Sequence, residues 1–230
     1  MTEKLPDSTK SLWRDSEEIP EYPRLEKDLQ VDVCIVGGGI TGITTAYLLA
    51  KEGLGIAILE ADQVLGGTTG HTTAKITAQH DLIYDEPITN VGKSKARLYY
   101  EANMEALQFI KQTIETLNID CGFKEEDAYV YATTEEYEKK IQKEAEAYEK
   151  LGIHGELVDE LPFELDIKNA IVMYKQAQFH PLKYLVELLE EITKMGGQIY
   201  GNTTAVNIKN DGQPTVLTID DHAVTCKYVL

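Results

Sequence analysis

The sequence predicts an α/β fold, and three observations carry this prediction. The apolar run Val31–Val36 leads through a glycine-rich turn into a helix-period segment and then into a second apolar run, Ile56–Glu60. A second helix–strand pair follows much later, with an amphipathic segment from Pro181 and a strand at Gln198–Tyr200. The last segments alternate in polarity between Asn-Asp-Gly and Asp-Asp turns, which predicts a β-meander. Together these features indicate a Rossmann-like domain that starts with a βαβ unit and ends in a meander.

The first of these stretches contains a fingerprint for binding a dinucleotide. Gly37, Gly39 and Gly42 have the spacing Gly-x-Gly-x-x-Gly, between a predicted strand and a predicted helix at residues 40–52. The first glycine permits the sharp turn, the second lets a pyrophosphate approach the backbone, and the third permits close helix–sheet packing. The positive end of the helix binds phosphate charge without a basic side chain. Glu60 closes the second strand, where its carboxylate is suited to accept hydrogen bonds from an adenosine ribose.

The remaining elements follow from hydrophobic periodicity and from turn residues. Thr134 is suited to cap a charged helix that extends to about Leu151. Residues 92–118 predict a long helix whose core face would consist of Leu98, Ala102, Ala106, Phe109, Ile110, Thr113 and Leu117. Further strands are predicted within Cys121–Thr133, near Leu157, and at Ile171–Tyr174, Thr203–Ile208, Thr215–Ile219 and Ala223–Leu230.

A segment rich in glycine and threonine, Gly66–Lys75, follows the second predicted strand. Its composition suits a loop that offers backbone amides and hydroxyl groups to a polar ligand better than it suits a packed core. A solvated surface loop would have the same composition. The position directly after the ribose-binding strand favours a role at the ligand.

The chain of 230 residues has a formal net charge of -17, from 22 Lys and Arg against 39 Asp and Glu. This charge disfavours binding to nucleic acid or to an anionic membrane surface. It is compatible with an anionic cofactor, because backbone amides and helix termini bind phosphate without net positive charge. Cys34, Cys121 and Cys226 lack a metal-binding spacing, so no metal site is predicted. Sparse cysteines, a polar N-terminus and the lack of a long apolar run predict a cytoplasmic protein outside the membrane.

These segments together resemble the FAD-dependent amine and amino-acid oxidoreductases of the D-amino-acid oxidase and glycine oxidase superfamily. The resemblance rests on VDVCIVGGGITGITTAYLLA, the acid of ILEAD, the GGTTGHTTA loop, FHPLKYLVELLEEITKMGGQIY and TTAVNIKN. The Leu12-Trp13 arm and GHTTAKITAQH resemble, more narrowly, bacterial members that carry a C-terminal Rieske iron–sulfur domain. The resemblance implies FAD as the cofactor and hydride transfer from a small amine or amino-acid-like substrate to flavin N5.

The resemblance also implies which residues bind each part of FAD. The pyrophosphate would be held by Gly37, Gly39, Ile40, Thr41 and Gly42. Glu60 would hold the adenosine ribose, Ala61 would lie beside the adenine, and the main chain of Val206 would contact the adenine. The segment that passes the pyrophosphate and approaches the flavin ring would include Thr68, Thr69, Thr73, Ala74 and Lys75.

The same resemblance implies a split domain organisation. Residues 31–85 and 177–230 would form the FAD-binding domain, with part of a substrate domain, residues 86–176, inserted between them. Residues 1–30 form an acidic arm that we expect to lie on the surface, anchored by Trp13. Because family members are longer, we expect this chain to be truncated and the rest of the substrate domain, a C-terminal flavin motif and any Rieske domain to belong to a longer form.

Two residues are candidates for catalysis. His71 lies in the loop expected beside the flavin, where it can polarise the ring or contact substrate, or serve only as a hydrogen-bonded loop residue. Lys75 can stabilise negative charge near flavin N1, or make only a backbone contact. One rival function is an NAD-dependent dehydrogenase, because Glu60 serves either cofactor, and another is a catalytically inert nucleotide-binding module. The threonine-rich loop and the late meander favour the FAD enzyme over the NAD enzyme.

Overall fold

The computed structural model describes residues 10–210 and 212–230. The helices of this part of the chain are α1 (Leu12–Ser16), α2 (Ile40–Lys51), α3 (Asp85–Val91), α4 (Lys93–Leu117), α5 (Glu135–Leu151) and α6 (Pro181–Lys194). The strands are β1 (Leu29–Gln30), β2 (Val33–Val36), β3 (Ile56–Leu59), β4 (Lys75–Ile76), β5 (Lys124–Ala132), β6 (Gly155–Val158), β7 (Asn169–Gln178), β8 (Gln198–Tyr200), β9 (Ala205–Lys209), β10 (Thr215–Thr218), β11 (Ala223–Thr225) and β12 (Tyr228–Val229). A 3₁₀ turn at Thr68–His71, called the threonine turn below, lies between β3 and β4.

These elements form two compact units. The first comprises the described residues up to Thr73 together with His180–Leu230, and the second comprises Ala74–Phe179. Residues 74–85, which the sequence analysis places in the FAD-binding domain, therefore make their contacts within the second unit. The assignment of one unit to the cofactor and the other to the substrate stays a prediction.

A parallel sheet with the strand order β12-β2-β3-β8 lies at the centre of the first unit. Every residue of β3 is buried, as expected for the apolar sequence IAIL in a strand covered on both faces. Helix α2 connects β2 to β3, and it packs against α6, which precedes β8. This βαβ arrangement brings the carboxyl ends of β2 and β3 next to the amino end of α2, where the glycine turn lies.

A second sheet of the first unit contains the predicted meander. Strands β9, β10 and β11 pair in antiparallel succession, and β1 adds to the free edge of β11 in parallel. Cys34 and Ala57 of the parallel sheet share one buried cluster with Val216 and Val224 of the meander. Burial raises the pKa of the Cys34 thiol to about 12, so this cysteine is a neutral core residue, as its sequence position predicts.

The second unit is an antiparallel sheet packed by helices. Strand β7 pairs with β4, β5 and β6, and α5 packs against β5, β6 and β7. A cluster of tyrosines lies in the core of this unit: the ring of Tyr84 makes edge contacts with Tyr100 and Tyr148, at centroid distances of 6.1 Å and 5.8 Å. These rings hold α3, α4 and α5 together.

Two predictions about local structure are wrong. Ala223–Leu230 contains two strands instead of one, because the amides of Lys227 and Tyr228 donate to the Asp32 carbonyl, at 2.9 Å and 3.1 Å, and turn the chain from the meander to the parallel sheet. The core face of α4 differs from the predicted one over the first half of the helix, whereas Thr113, in the second half, is buried as predicted. Leu98 is 63% exposed whereas Tyr100 and other residues of the helix are buried, because the tyrosine cluster determines which face of α4 packs inward.

Two kinds of feature are absent from the described residues. None of their helices combines the length and the apolar character that crossing a bilayer requires. Their His, Cys, Asp and Glu side chains also form no group of three or more that is suited to hold a metal ion.

Candidate functional site

The glycine turn between β2 and α2 has a geometry that only glycine satisfies. Gly37 has a φ of +114°, a backbone conformation that L side chains rarely adopt, and its amide donates to the Leu59 carbonyl at 2.8 Å. A Cβ on Gly42 would lie 2.1 Å from the Gly37 carbonyl oxygen and 3.1 Å from Cγ2 of Ile35. The turn and the start of the helix therefore touch each other directly, as predicted for a dinucleotide fingerprint.

The amino end of α2 offers backbone amides. Gly39 is the N-cap residue, its backbone is extended, and it has no side chain to accept from the first amides of the helix. The Ile40 amide donates to Oγ1 of Thr69, at 3.0 Å. The hydroxyl hydrogen of Thr69 and the neighbouring amides can donate to an anion that lies against the helix terminus.

A cavity of about 670 Å³ opens at this helix terminus. None of the side chains that line it in the described part of the chain is charged, so an anion there would be bound by backbone amides, hydroxyl groups and the helix dipole. All five residues predicted to hold a pyrophosphate line this cavity, together with two residues of the threonine turn: Gly37, Gly39, Ile40, Thr41, Gly42, Thr68 and Thr69. We call it the glycine-turn cavity.

Glu60 is held beside the glycine turn by two backbone amides. Its Oε2 accepts from the Gly38 amide at 2.7 Å, and its Oε1 accepts from the Asp62 amide at 3.1 Å. A carboxylate has about four lone-pair positions, so both oxygens keep capacity for hydroxyl donors. The carboxylate is therefore oriented in advance and can still accept hydrogen bonds from a ribose.

Two residues predicted to contact the adenine lie outside the glycine-turn cavity. Ala61 is exposed directly after Glu60. Val206 lies on β9, 55% exposed, and lines a separate cavity of about 910 Å³. Val36 and Leu230 line both cavities.

The end of the threonine-rich segment is divided between the two units. His71 is exposed at the end of the threonine turn, and Thr73 is an exposed residue at the end of the first unit's segment. Ala74 is buried with a φ of +60°, and Lys75 is exposed at the start of β4, both in the second unit. The proposed roles of these four residues toward a flavin stay predictions.

Sequence reasoning missed several residues of the site. Gly38 donates to Glu60, and Thr45, Thr72 and Leu230 line the glycine-turn cavity. Thr45 had a usable signal, because it follows Thr41 by four residues and therefore shares its helix face. Leu230 had no signal in the sequence, because the pairing of β12 with β2 is what brings it to the cavity.

Comparison with known proteins identifies the family that has this site. Residues 32–230 match the family model described as DAO, FAD dependent oxidoreductase. The chain belongs to the FAD-dependent oxidoreductase family. Membership confirms the fold class, the family resemblance and FAD as the predicted cofactor. The glycine turn, the uncharged cavity and the oriented Glu60 fit an adenine dinucleotide of this kind.

The curated relatives that the chain matches are longer than the chain. It is 50% identical over 224 residues to the "Putative Rieske 2Fe-2S iron-sulfur protein YhfW" of Bacillus subtilis, covering 97% of this chain and 44% of that protein. It is 25% identical over 215 residues to the gamma-glutamylputrescine oxidoreductase of Escherichia coli, covering 91% and 50%. The chain therefore spans about half the length of these relatives.

Solved structures of low sequence identity share the fold. Glycine oxidase from Geobacillus kaustophilus superposes with a TM-score of 0.71 at 21% identity, over 87% of this chain and 54% of that one. An L-amino acid deaminase from Proteus myxofaciens superposes with a TM-score of 0.70 at 18% identity, over 93% and 48%. At such identities the likeness shows the fold of the chain.

Proposed function

We propose that this chain binds FAD as part of an enzyme that takes a hydride from the carbon beside nitrogen in an amine or amino-acid-like substrate. The observation that carries the proposal is the glycine-turn cavity, whose lining side chains are uncharged, in a chain of the FAD-dependent oxidoreductase family. The Gly38 amide of the same turn orients the carboxylate of Glu60. The substrate class follows the names of its relatives, which include gamma-glutamylputrescine oxidoreductase, glycine oxidase and L-amino acid deaminase.

In this proposal the first unit binds and orients the cofactor. The amides at the start of α2 and the Thr69 hydroxyl would hold the pyrophosphate, since these donors lie at the glycine turn, where α2 begins. Glu60 would hold the adenosine ribose, with its carboxylate fixed by the Gly38 and Asp62 amides. Bound FAD would supply the flavin N5 position that accepts the hydride, which no amino-acid side chain can do.

The electron acceptor of the reduced enzyme is proposed from the relatives. Oxygen is one candidate, since glycine oxidase is named as an oxidase. An attached Rieske iron–sulfur domain is the other, since the relative at 50% identity is named as a Rieske 2Fe-2S protein. In a longer form of this protein such a domain would receive electrons from the flavin one at a time.

The proposal is tested by reducing the bound flavin without oxygen. We expect the protein, saturated with FAD and mixed anaerobically with small primary amines, secondary amines and α-amino acids, to lose its long-wavelength flavin absorbance with at least one of them. The matched control is the 2-hydroxy acid of the same carbon skeleton, which presents oxygen in place of nitrogen.

Each other outcome of this experiment points to a different function. Bleaching by the hydroxy acid and by no amine would contradict the substrate class. A protein that binds NAD and leaves FAD unbound would be an NAD-dependent dehydrogenase. Saturable FAD binding without reduction by any of these compounds would favour a catalytically inert nucleotide-binding module.

A further inference from the structure

The threonine turn has few backbone hydrogen bonds of its own. It is a 3₁₀ turn of four residues, with an amide–carbonyl bond from Gly70 to Gly67 at 3.0 Å. Short 3₁₀ turns have poor hydrogen-bond geometry and gain most of their order from their surroundings. On the cavity side the turn is tied to α2 through Thr69, whose Oγ1 accepts from the Ile40 amide.

The N-terminal arm contacts the same turn. The indole N–H of Trp13 donates to the Thr72 carbonyl at 2.8 Å, and the Ser11 hydroxyl donates to the Gly70 carbonyl. The side chain of Arg14 packs against Gly70, where a Cβ would lie 3.0 Å from Cδ of the arginine. The arm therefore contacts the end of the turn at two carbonyls, those of Gly70 and of Thr72, the residue that follows the turn.

The arm is itself fixed to a rigid element, the start of α6. The edge of the Trp13 ring contacts the His180 ring at a centroid distance of 5.0 Å and an angle of 75°. Nδ1 of His180 accepts from the Lys183 amide at 3.2 Å and so caps α6, which leaves the ring proton of the neutral histidine on Nε2. Nε2 then donates to the Ser16 hydroxyl at 3.0 Å. Burial lowers the pKa of His180, which favours this neutral form.

We propose that Trp13 is a positioning residue for the cofactor, acting through the threonine turn. A continuous series of contacts leads from α6 through the arm and the turn to the amino end of α2. It includes the Trp13–His180 ring contact and the Trp13–Thr72 and Thr69–Ile40 hydrogen bonds. Thr68, Thr69 and Thr72 line the glycine-turn cavity, so a turn released by the arm would present misplaced hydroxyl groups to the phosphates. The role toward FAD rests on the proposed function, whereas the coupling of the arm to Ile40 does not.

The substitution Trp13→Phe tests this role, because it deletes the indole N–H and keeps an aromatic ring against His180. We expect the dissociation constant for FAD to rise by about threefold to tenfold, the usual effect of one lost hydrogen bond, and that for ADP to rise equally. In the protein without ligand, amide exchange of Ile40 should become faster by a similar factor. The matched control is Leu12→Ala, on the same short helix, because the Leu12 side chain is 69% exposed and its loss should change neither quantity.

The outcomes separate the inference from the proposed function. If Trp13→Phe lowers the melting temperature but leaves FAD affinity and Ile40 exchange at their original values, Trp13 is only a structural anchor and the inference is wrong. If the unmodified chain binds no FAD, the proposed function fails, and Ile40 exchange alone decides whether the arm orders the turn. Should Trp13→Phe fail to fold, Ser11→Ala removes the neighbouring hydrogen bond to Gly70 and must show the same direction of change.

Discussion

Replacing Gly42 with alanine is expected to destroy FAD binding and to destabilise the first unit. The new Cβ would lie 2.1 Å from the Gly37 carbonyl oxygen, and this neighbour is backbone that cannot rotate away. Either α2 moves off the sheet or the turn at Gly37 opens, and both displace the amides that face the cavity. Overpacking of this kind costs about 3 kcal/mol in the free energy of unfolding. We expect the dissociation constant for FAD to rise by at least about tenfold, because each 1.4 kcal/mol lost corresponds to a factor of about ten.

The control for this substitution is Gly67→Ala, close to the threonine turn. No atom lies within 4 Å of the position that its Cβ would occupy, and its φ of -81° is open to any residue. Urea unfolding followed by circular dichroism and titration with FAD would be measured on both variants. Equal affinity and equal stability of Gly42→Ala and the unmodified chain would show that the turn and the helix are not packed as described.

Removing the carboxylate of Glu144 is expected to be the most destabilising change in the second unit. This side chain is 1% exposed, and it accepts from the amides of Ile83, Tyr84 and Asp85 at 2.8–3.0 Å, which are the amides that open α3. Glu144→Ala leaves these buried donors without an acceptor, and each unsatisfied buried group costs about 1–3 kcal/mol. We expect the free energy of unfolding to fall by about 3–5 kcal/mol, measured with urea.

Glu146 on the same helix provides the matched control. Its side chain is 67% exposed and pairs with Lys150 at 3.4 Å, an arrangement that contributes little in water. Glu146→Ala should therefore change stability by less than about 1 kcal/mol. Similar losses for the two alanine variants would contradict the capping role of Glu144.

The same carboxylate should make the stability of the protein depend on pH. Burial raises the pKa of Glu144 above the usual 4.5, although the three amide donors oppose this shift. The folded state therefore binds the proton more tightly than the unfolded state. The contribution to stability is largest below the unfolded pKa and declines as pH rises from there through the raised folded pKa. Glu144→Gln should remove this part of the pH dependence, and an unchanged slope would contradict the assignment.

The sequence is sufficient to predict the cofactor turn because every part of it is local. Gly37, Gly39 and Gly42 lie on one strand–turn–helix segment, and Glu60 directly follows the next strand of the same βαβ unit. Steric rules for glycine and the direction of helix amides then predict the kind of ligand that the segment binds. The meander was equally predictable, since alternation of polar and apolar residues and the turn residues are also local signals.

Other features depend on contacts between residues that are distant in sequence, and such contacts cannot be predicted from one sequence alone. Periodicity in α4 allows more than one face, and the choice of Tyr100 over Leu98 depends on Tyr84 and Tyr148, from other elements. The break between β11 and β12 depends on Asp32, whose carbonyl and carboxylate bind Lys227 from the far end of the chain. The contact of Trp13 with the threonine turn spans 59 residues and has no local signature.

The central claim is that the glycine turn and Glu60 of this chain bind FAD, and titration of the purified chain tests it most directly. FAD, NAD and ADP would each be added to protein whose fold has been verified by circular dichroism, and binding would be followed by flavin fluorescence and calorimetry. We predict saturable binding of one FAD per chain, displaced by ADP and lost in Gly42→Ala. A folded chain that binds NAD saturably but not FAD, or that binds neither, would contradict the claim.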